Sequence, residues 1–518
     1  MPNSDPLRLA LQWFQAQQQA PLFLPILVSI IISLFLFRWF TGGDKRKLPP
    51  SPPKLPIIGN FHQLGTLPHR NLRDLSNKYG PLMILNLGSA NTLVVSSPEM
   101  AKEVTKTQDI VFANRPPTKG AKKLLYNCTN VGFAPYGEYW REVRKVCVTE
   151  LLSAKRVQSF DVARKEEICF LIEKIKVLSS KPGTVVDLTE LLLNLANNLI
   201  PRVAFGKSYE EKDGTNRLGH LTRDVLTLLG AFSIRDLYPA LGWIDGLSGL
   251  TRKMNKTHRE MDAFLDQVIE DHLNNKLGSS SDGHETIIDT LLRVQKDKTL
   301  SITLVRDNIK AIVMDLFIAG TDTISIVVEW AMVQLLMNPE MMKRAQEEVR
   351  QVVGNKSRVH EDDTHHMHYV KCVVKETLRL HPPVPLLVPR ESSEDTNING
   401  FHIPAKTRVF VNSWAIQRDP KSWESAEEFI PERFIDNPVD HKGSNFEYLP
   451  FGSGRRGCPG IQFGLVASEL LLANLLFWFD WEVPLDGLGK QILDMDEHFG
   501  LIVYKKNPTL IIPSLHQI

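Results

Sequence analysis

One cysteine lies in the segment of the chain with the most distinctive chemistry, which reads PFGSGRRGCPG at residues 450–460. Glycine occupies four positions of this segment, Gly452, Gly454, Gly457 and Gly460. Glycine lets a backbone turn tightly, so that N–H groups can be directed at the Cys458 sulfur. Such donors, the adjacent Arg455 and Arg456 and the N-terminus of a helix predicted from Ile461 all favour a thiolate over a thiol. The segment therefore predicts an anionic sulfur that binds a ligand.

The number and spacing of the other cysteines give no indication that Cys458 forms a disulfide or shares a metal with a second cysteine. The chain has five cysteines and no C-x-x-C pair, so neither a disulfide framework nor a structural zinc site is indicated. The other four are interpreted as small hydrophobic side chains, Cys128, Cys147, Cys169 and Cys372. A lone thiolate fits a metal that a macrocycle already holds and that needs one axial ligand.

A carboxylate and hydroxyl groups interrupt a long apolar stretch. Residues 302–337 carry hydrophobic residues at helical spacing, with Ser301 or Thr303 placed to cap the first turn. At about 1.5 Å per residue this helix would be roughly 50 Å long, enough to cross a whole domain. Its centre reads AGTDT at residues 319–323. A buried helix gains nothing from a carboxylate such as Asp322 unless that group has a partner or a function.

The cysteine segment matches the pattern F-x-x-G-x-R-x-C-x-G in full, and this pattern resembles the haem-binding loop of the cytochrome P-450 superfamily. Its fixed positions are Phe451, Gly454, Arg456, Cys458 and Gly460. Three further motifs similar to those of the family occur in the expected order, namely AGTDT, KETLRLHPPVP at 375–385 and PERF at 431–434. The resemblance covers residues 45–510 and is in the style of the plant A-type microsomal enzymes of specialised metabolism.

The resemblance implies the cytochrome P-450 fold, which is mainly α with a minor β-sheet, in a single large catalytic domain. The hydrophobic periodicity is consistent with it, because strand-like alternation is found mostly at residues 81–97 and 407–416. Helical spacing predicts helices at 139–152, 161–178, 254–276, 302–337, 339–352, 369–380 and 461–477.

The resemblance also implies roles for individual residues. Cys458 would be the axial ligand of the haem iron, in a loop that includes Phe451 and Gly452. Thr323 and Asp322 would be catalytic and would handle dioxygen and protons. Four further residues would surround the haem and its propionates, Trp140, Arg144, Arg390 and Arg456. For the first two of these, the solvated basic edge of an amphipathic helix remains the alternative interpretation.

Two further motifs imply a charge triad. Glu376 and Arg379 form the E-x-x-R pair, and Arg433 of PERF is the third member. In the family these three side chains are buried behind the haem. Alone, the pair would be a common i,i+3 surface contact worth about 0.2–0.5 kcal/mol. In a buried triad the loss of stability is larger, because removing one member leaves an unpaired interior charge at a cost of about 3–5 kcal/mol.

The implied activity is that of a haem-thiolate monooxygenase, which inserts one atom of O2 into a hydrophobic small molecule such as a terpenoid, alkaloid or phenolic. The implied cofactor is heme b. No G-x-G-x-x-G motif follows a predicted strand, as the nucleotide-binding fingerprint requires. NADPH would therefore be oxidised by a separate flavoprotein, the NADPH-cytochrome reductase, with cytochrome b5 as an additional electron donor. The alternatives are a haem-thiolate isomerase or dehydratase, an oxidative ring-forming enzyme, and a non-enzymatic haem sensor. Thr323 and Asp322 favour the monooxygenase.

The N-terminus has the pattern of a membrane anchor. No charged residue occurs between Arg8 and Arg38, and residues 21–40 supply the roughly 20 apolar residues that a bilayer-spanning helix needs. A cleaved signal peptide and a buried core helix are the alternatives, and the chain shows no A-x-A-like cleavage site after the run. Cations at 45–47 follow the run and predict a cytosolic body.

The predicted organisation is a single-pass protein of the endoplasmic reticulum membrane that contacts lipid. Its parts are a tail at 1–20, an anchor at 21–40, a basic and proline-rich linker at 41–56 and the catalytic domain at 57–518. The net charge of +2, from 61 Lys and Arg against 59 Asp and Glu, gives no indication of nucleic-acid binding.

Overall fold

The computed structural model of the protein describes residues 47–209, 217–274, 285–485 and 493–516, and four isolated positions between residues 25 and 33. The predicted tail, almost all of the predicted anchor and the first part of the predicted linker lie outside the described residues. The chain forms two units. The larger comprises Pro49–Ile398 and Ile403–Ile518 and contains every site residue, whereas the smaller joins Asn399–His402 to Lys47 and Leu48.

Helices make up most of the described chain. The α-helices are α1 (Pro68–Tyr79), α2 (Pro98–Lys102), α3 (Lys119–Leu124), α4 (Glu138–Val146), α5 (Ala154–Ser159), α6 (Asp161–Ser179), α7 (Leu188–Phe205), α8 (Arg217–Gly230), α9 (Ile234–Leu237), α10 (Ile244–Leu247), α11 (Leu250–Leu273), α12 (Ile287–Asp297), α13 (Arg306–Met337), α14 (Pro339–Val353), α15 (His368–Leu380), α16 (Ser413–Ile416) and α17 (Ile461–Trp478). Short π segments follow α2 and α4, at Glu103–Thr107 and Cys147–Leu151. Single 3-10 turns occur at Phe61–Gln63, Pro239–Leu241, Glu361–His366, Pro431–Phe434 and Gly454–Arg456.

The strands are short and form small sheets. They are β1 (Leu82–Leu87), β2 (Ala90–Val95), β3 (Val186–Asp187), β4 (Arg390–Glu391), β5 (Thr396–Ile398), β6 (Phe401–Ile403), β7 (Arg408–Val411), β8 (Phe479–Glu482), β9 (Glu497–Phe499), β10 (Val503–Lys505) and β11 (Leu510–Leu515). One sheet has the order β1-β2-β7-β4, with β2 and β7 parallel and the other two pairs antiparallel. Another has the order β3-β11-β8. The mainly helical fold with a minor β component is therefore confirmed.

The helices predicted from periodicity are all present, but two local predictions are wrong. Residues 413–416 form helix α16 and not the end of a strand, because the Asn412 side chain caps the turn by accepting a hydrogen bond from Ala415 N at 3.1 Å. The central helix begins at Arg306, and neither Ser301 nor Thr303 caps it. Its first turn is closed by Asn308, whose side chain accepts from Val305 N at 2.9 Å.

Helix α13 runs through the middle of the hydrophobic core. Every residue of Asn308–Met314 and of Ile324–Leu336 is buried. The first half packs with α7 and α11 in one hydrophobic cluster, and the second half packs with α6, α14, α15 and α17 in another. Both α13 and α17 are long and apolar enough to cross a bilayer, yet 67% of each window is buried within the protein. These two are therefore core helices, and their long apolar runs reflect burial inside the protein.

A buried ion-pair triad joins α15 to the PERF turn. The Arg379 guanidinium donates to both oxygens of Glu376 at 2.7 and 2.8 Å, and Arg433 Nε donates to Glu376 Oε1 at 3.0 Å. Arg379 also donates to three backbone carbonyls of the chain between 417 and 428. The side chains of Glu376 and Arg379 have no solvent exposure. The predicted triad is confirmed as a fully satisfied charge cluster.

Replacing Glu376 with alanine is expected to lower the free energy of unfolding by about 3–5 kcal/mol, because Arg379 would stay buried without its carboxylate. Denaturant unfolding followed by tryptophan fluorescence measures the change. Glu173→Ala is the matched control, since it breaks another i,i+3 pair, 2.9 Å from Lys176, whose carboxylate side chain is 68% exposed. That loss should stay below about 1 kcal/mol. Equal losses in the two variants would contradict the dependence on burial.

Candidate functional site

The loop around Cys458 holds the sulfur within a set of backbone hydrogen bonds. Gly460 N donates to Cys458 Sγ at 3.3 Å, and Cys458 N donates to the carbonyl of Phe451 at 2.9 Å. Helix α17 begins at Ile461, so its positive N-terminal end lies three residues from the sulfur. The N–H donor and the helix N-terminus predicted beside the cysteine are therefore both present.

Two glycines of this loop have backbone conformations that other residues rarely adopt. Gly452 has φ +70° and Gly454 has φ +68°, in the left-handed region that glycine enters without steric cost. At Gly454 space is also limiting, because an added Cβ would lie 1.9 Å from the carbonyl oxygen of Thr105. The loop can therefore approach the 103–107 segment only with glycine at this position.

Burial raises the pKa of the Cys458 thiol, and the Gly460 N–H and the charge of Arg144 act against that rise. The cation beside the sulfur is thus Arg144 of α4, and the expectation that Arg455 and Arg456 favour the thiolate is wrong. Arg455 instead pairs with Asp109 at 2.8 Å. Arg456 turns toward backbone carbonyls on the other side of its loop. The sequence could not predict the cation beside the sulfur, because these contacts join segments that are far apart in the chain.

Four arginines meet around this loop, each bound to backbone carbonyls. Arg144 donates to Gly457 O at 2.7 Å, and Arg390 donates through Nη2 to Ser453 O at 2.8 Å. Arg456 donates to the carbonyls of Ala113, Val131 and Ala134 at 2.7, 3.2 and 2.5 Å. Arg115 donates to the carbonyls of Gly132, Val388 and Pro389 at 3.0, 2.5 and 2.9 Å.

Among the described residues, no carboxylate forms an ion pair with these four arginines. Burial, followed by repulsion from the other members, lowers the pKa of Arg456 to about 9 and that of Arg115 well below its usual value. Burial lowers the pKa of Arg390 to about 10. Arg390 Nη1 is buried and has no hydrogen-bond partner among the described residues. The cluster therefore concentrates positive charge that the protein itself does not neutralise, which is costly unless an anion binds there.

The indole of Trp140 is held by the same region. Trp140 is buried, and its Nε1 donates to the carbonyl of Val131 at 3.0 Å. The Arg456 guanidinium lies 4.3 Å from the centroid of the indole ring, within the range of a cation–π contact. The structure thus places Trp140 against Arg456 and occupies its only donor with the backbone.

Between its two ends, helix α13 is accessible mainly around the AGTDT segment. Ala319 is exposed, and Leu316, Gly320, Asp322 and Thr323 are partly exposed, in a helix that is otherwise buried along most of its length. Thr323 Oγ1 donates to the carbonyl of Ala319 at 2.5 Å. Burial raises the pKa of the Asp322 carboxyl, which the charge of Arg223 partly offsets. The small residue Ala319 and the Thr323 hydroxyl are therefore among the accessible groups on this part of the helix.

Comparison with known proteins decides the family. The family model described as cytochrome P450 matches residues 49–512. The chain belongs to the cytochrome P450 family. As a P450 it is a haem-containing monooxygenase.

This P450 is similar to plant members of the family. It is 53% identical to cytochrome P450 71A1 of Persea americana, over 88% of this chain and 91% of that protein. It is 47% identical to strychnine-11-hydroxylase of Strychnos nux-vomica, over 91% of this chain and 92% of that protein, and 45% identical to costunolide synthase of Cichorium intybus, over 95% and 98%. A solved zebra fish cytochrome P450 with abiraterone has a TM-score of 0.73 and 25% identity, and the match covers 88% of this chain and 100% of that chain.

The residues present fit a haem group. Two propionate carboxylates are the kind of anion that the arginine cluster and the unpartnered Arg390 Nη1 require. The Cys458 sulfur, with a backbone N–H donor at 3.3 Å, is the kind of group that binds a haem iron as a single protein ligand.

Two residues of the site were missed from the sequence. Arg115 lies in the stretch FANRP, where nothing in the local pattern marks it as buried. Asp315 lies on α13 and accepts hydrogen bonds from Asn130 Nδ2, Val131 N and Gly132 N at 2.6, 2.5 and 3.2 Å. Asp315 was detectable, because the reasoning that singled out Asp322 applies equally to a carboxylate one turn before Ala319.

Replacing Gly454 with alanine is expected to prevent the cysteine loop from forming, since the added Cβ would overlap the Thr105 carbonyl. Haem content and the reduced, carbon monoxide-bound spectrum measure the loss, which should be nearly complete. Gly183→Ala is the matched control, with φ +77° and no atom within 4 Å of the new Cβ. It should cost about 1–2 kcal/mol of stability and leave haem content unchanged. A Gly454→Ala variant with full haem content would contradict the packing argument.

Proposed function

We propose that this P450 is a membrane-bound enzyme of plant specialised metabolism, which inserts one oxygen atom from O2 into a hydrophobic small molecule. The carrying observation is a cysteine sulfur with an N–H donor beside a cluster of buried arginines that lack counter-charges. The names of two relatives, strychnine-11-hydroxylase and costunolide synthase, support a small organic molecule as substrate. Terpenoids, alkaloids and phenolics are the classes to screen.

The proposed haem site uses seven residues. Cys458 is the iron ligand, and the loop before it contributes Phe451, whose carbonyl binds Cys458 N, and Gly452, whose φ of +70° shapes the turn. The remaining four surround the propionates, Trp140, Arg144, Arg390 and Arg456. Trp140 acts by packing against Arg456, because its indole N–H is already bound to Val131.

The proposed mechanism assigns oxygen chemistry to the cofactor and proton handling to α13. When bound, haem with a thiolate ligand supplies O2 activation, because the thiolate donates electron density that favours O–O cleavage. The Thr323 hydroxyl, now bound to the Ala319 carbonyl, rotates to hydrogen-bond to a group in the adjacent space. Asp322, whose pKa is raised by burial, takes up a proton and passes it along this face.

Electrons are proposed to come from NADPH through a separate flavoprotein reductase, with cytochrome b5 as an additional donor. Arg141 and Lys145 support a docking surface for an acidic partner, because both are exposed on α4. Their helix contacts the cysteine loop through Arg144 and Gly457. Charge complementarity of this kind steers association more than it adds affinity.

The protein is also proposed to be anchored in the endoplasmic reticulum membrane by residues 21–40, with the catalytic domain in the cytosol. The large apolar side chains of segment 226–247 fall into a buried and an exposed set. Leu226, Leu228 and Leu237 are buried, whereas Phe232, Trp243 and Leu247 are 68%, 64% and 79% exposed. The exposed group supports contact with lipid, because large apolar side chains grouped on a surface favour an apolar neighbour.

Replacing Cys458 with alanine is expected to abolish the Soret band of a thiolate-ligated haem in the reduced, carbon monoxide-bound spectrum, because no other group supplies the axial sulfur. The control is Cys128→Ala, which removes a buried thiol whose pKa burial raises to about 11. That variant should keep the band. A Cys458→Ala protein that retains it would overturn the ligand assignment.

Replacing Thr323 with alanine is expected to leave NADPH oxidation running while the yield of oxidised product per NADPH falls by about tenfold or more. The assay uses the reductase and a substrate found by screening binding spectra. Ser325→Ala is the control, since it removes a hydroxyl on the buried side of the same helix that donates to Asp322 O at 2.8 Å. Unchanged coupling in Thr323→Ala would remove this residue from the mechanism. Conversion of the substrate without NADPH or O2 would identify an isomerase or dehydratase instead.

A further inference from the structure

The turn at residues 130–132 lies between helix α13 and the arginine cluster. On one side, Asp315 of α13 accepts hydrogen bonds from Val131 N and Gly132 N, at 2.5 and 3.2 Å, and from Asn130 Nδ2 at 2.6 Å. Three donors of one turn therefore converge on a single carboxylate. The hydrogen-bonding capacity of this anion is directed at the backbone of the turn.

On the other side, the same turn offers its carbonyls to the cations of the site. The carbonyl of Val131 accepts from Trp140 Nε1 at 3.0 Å and from Arg456 Nη1 at 3.2 Å. The carbonyl of Gly132 accepts from Arg115 Nε at 3.0 Å. The peptide group between Val131 and Gly132 thus has an anion at its N–H and a cation at its carbonyl. Hydrogen bonds in such a chain polarise and strengthen one another.

The backbone before the turn does not hold this shape by itself. Three consecutive residues, Tyr126, Asn127 and Cys128, have left-handed φ values of 49°, 58° and 59°. A run of this kind is unfavourable for L-residues, so contacts outside the run must maintain it. For the run itself, Tyr126 Oη donates to Asp262 Oδ1 and Asn127 N donates to Lys122 O, both at 2.9 Å. Immediately after it, the Tyr139 hydroxyl donates to Thr129 O at 2.6 Å, and Asp315 accepts from the 130–132 turn.

We propose that Asp315 is a positioning residue for the haem site, because its ionised carboxylate fixes the 130–132 turn and thereby aims the guanidinium groups of Arg456 and Arg115. Asp315 then acts on the arginine cluster through the hydrogen bonds of one peptide turn, without direct contact. The inference rests on the proposed function, since the haem propionates are the anions that these arginines would face. It extends that function to a residue that none of the sequence motifs includes.

The ionisation of Asp315 gives the proposal a pH signature. The titratable and charged groups that face it are Tyr139 and Arg144 from α4, Cys147 from the following π segment and Arg456 from the cysteine loop. Burial raises the pKa of Asp315 to about 6, against the turn donors and Arg456, which lower it. The ionised form accepts all three donors, whereas protonation inserts a further hydrogen among them. The turn should therefore loosen as the pH falls through about 6 and stay tight above it.

The test compares the full-length haem protein with Asp315→Asn, Asp315→Glu and Asp307→Asn. The last is the matched control, because Asp307 is an exposed aspartate in the first turn of the same helix. Two quantities are measured between pH 7.5 and about 5.5. They are amide hydrogen exchange in peptides that cover Val131 and Gly132, and the rate of haem transfer to excess apomyoglobin.

Asp315→Asn should speed both processes by about tenfold or more at neutral pH, since the amide presents a donor where the turn needs an acceptor. Asp315→Glu keeps the charge, so its rates of exchange and haem transfer should lie between those of the wild type and those of Asp315→Asn. Exchange rates are divided by the intrinsic rate of each amide at the same pH. The ratio of the Asp315→Asn rates to the wild-type rates should be about tenfold or more at neutral pH and should fall toward one below about pH 6. Asp307→Asn, which keeps Asp315, should match the wild type at every pH.

Equal rates for Asp315→Asn and Asp307→Asn would overturn the proposal. If Asp315→Asn does not fold, the pH dependence of the wild type is the test. The proposal is overturned if neither its corrected amide exchange nor its haem transfer becomes faster between neutral pH and about pH 5.5. Failure of the haem-thiolate assignment is a different result, because it is read from the carbon monoxide spectrum of Cys458→Ala. A normal thiolate band together with pH-independent exchange in the wild type would reject the positioning role of Asp315 and leave the haem-thiolate assignment intact.

Discussion

The arrangement of the site depends on the burial of positive charge that the chain leaves uncompensated. Arg115, Arg390 and Arg456 are each less than a tenth exposed, and burial lowers the pKa of all three. Repulsion from neighbouring arginines lowers the pKa of Arg115 and Arg456 further. Backbone carbonyls satisfy most of their donors but supply no negative charge. The fold can hold such a cluster only if the surrounding segments are rigid and an anion completes it. Haem, with two propionates, is the group whose charge and shape match this requirement.

In a second cluster of buried arginines, the protein itself supplies a carboxylate partner. Around Glu376, the carboxylate meets two guanidinium groups, and the remaining donors of Arg379 reach carbonyls, so this triad is complete without any ligand. It is far more buried than a surface pair, and it fixes α15 to the PERF turn. The comparison separates two uses of buried arginine in one protein. A satisfied cluster stabilises the fold, whereas an unsatisfied one marks the place where something binds.

Helix α13 connects these features because it is both the centre of the core and one wall of the site. Its two buried stretches lie mainly in different hydrophobic clusters, and between them the region around 315–323 is partly accessible. There the helix carries two carboxylates, Asp315 and Asp322, in different surroundings. One accepts three hydrogen bonds from a turn, and the other has no such partner and lies near Arg223. The same helix therefore carries one carboxylate that is held by a turn and another whose pKa is raised by burial.

The sequence by itself determined the features that depend on neighbours in the chain. The glycines and cysteine of 450–460, the AGTDT segment and the period of the main helices are local patterns, and the structure contains each of them. Only the tertiary structure decided which groups meet. Arg144 and not Arg455 lies by the sulfur, Trp140 donates to a carbonyl, and Arg115 and Asp315 belong to the site. These contacts join residues up to several hundred positions apart, through backbone carbonyls and N–H groups that every residue type carries. No residue pattern encodes such partners, because their selection depends on how the helices pack.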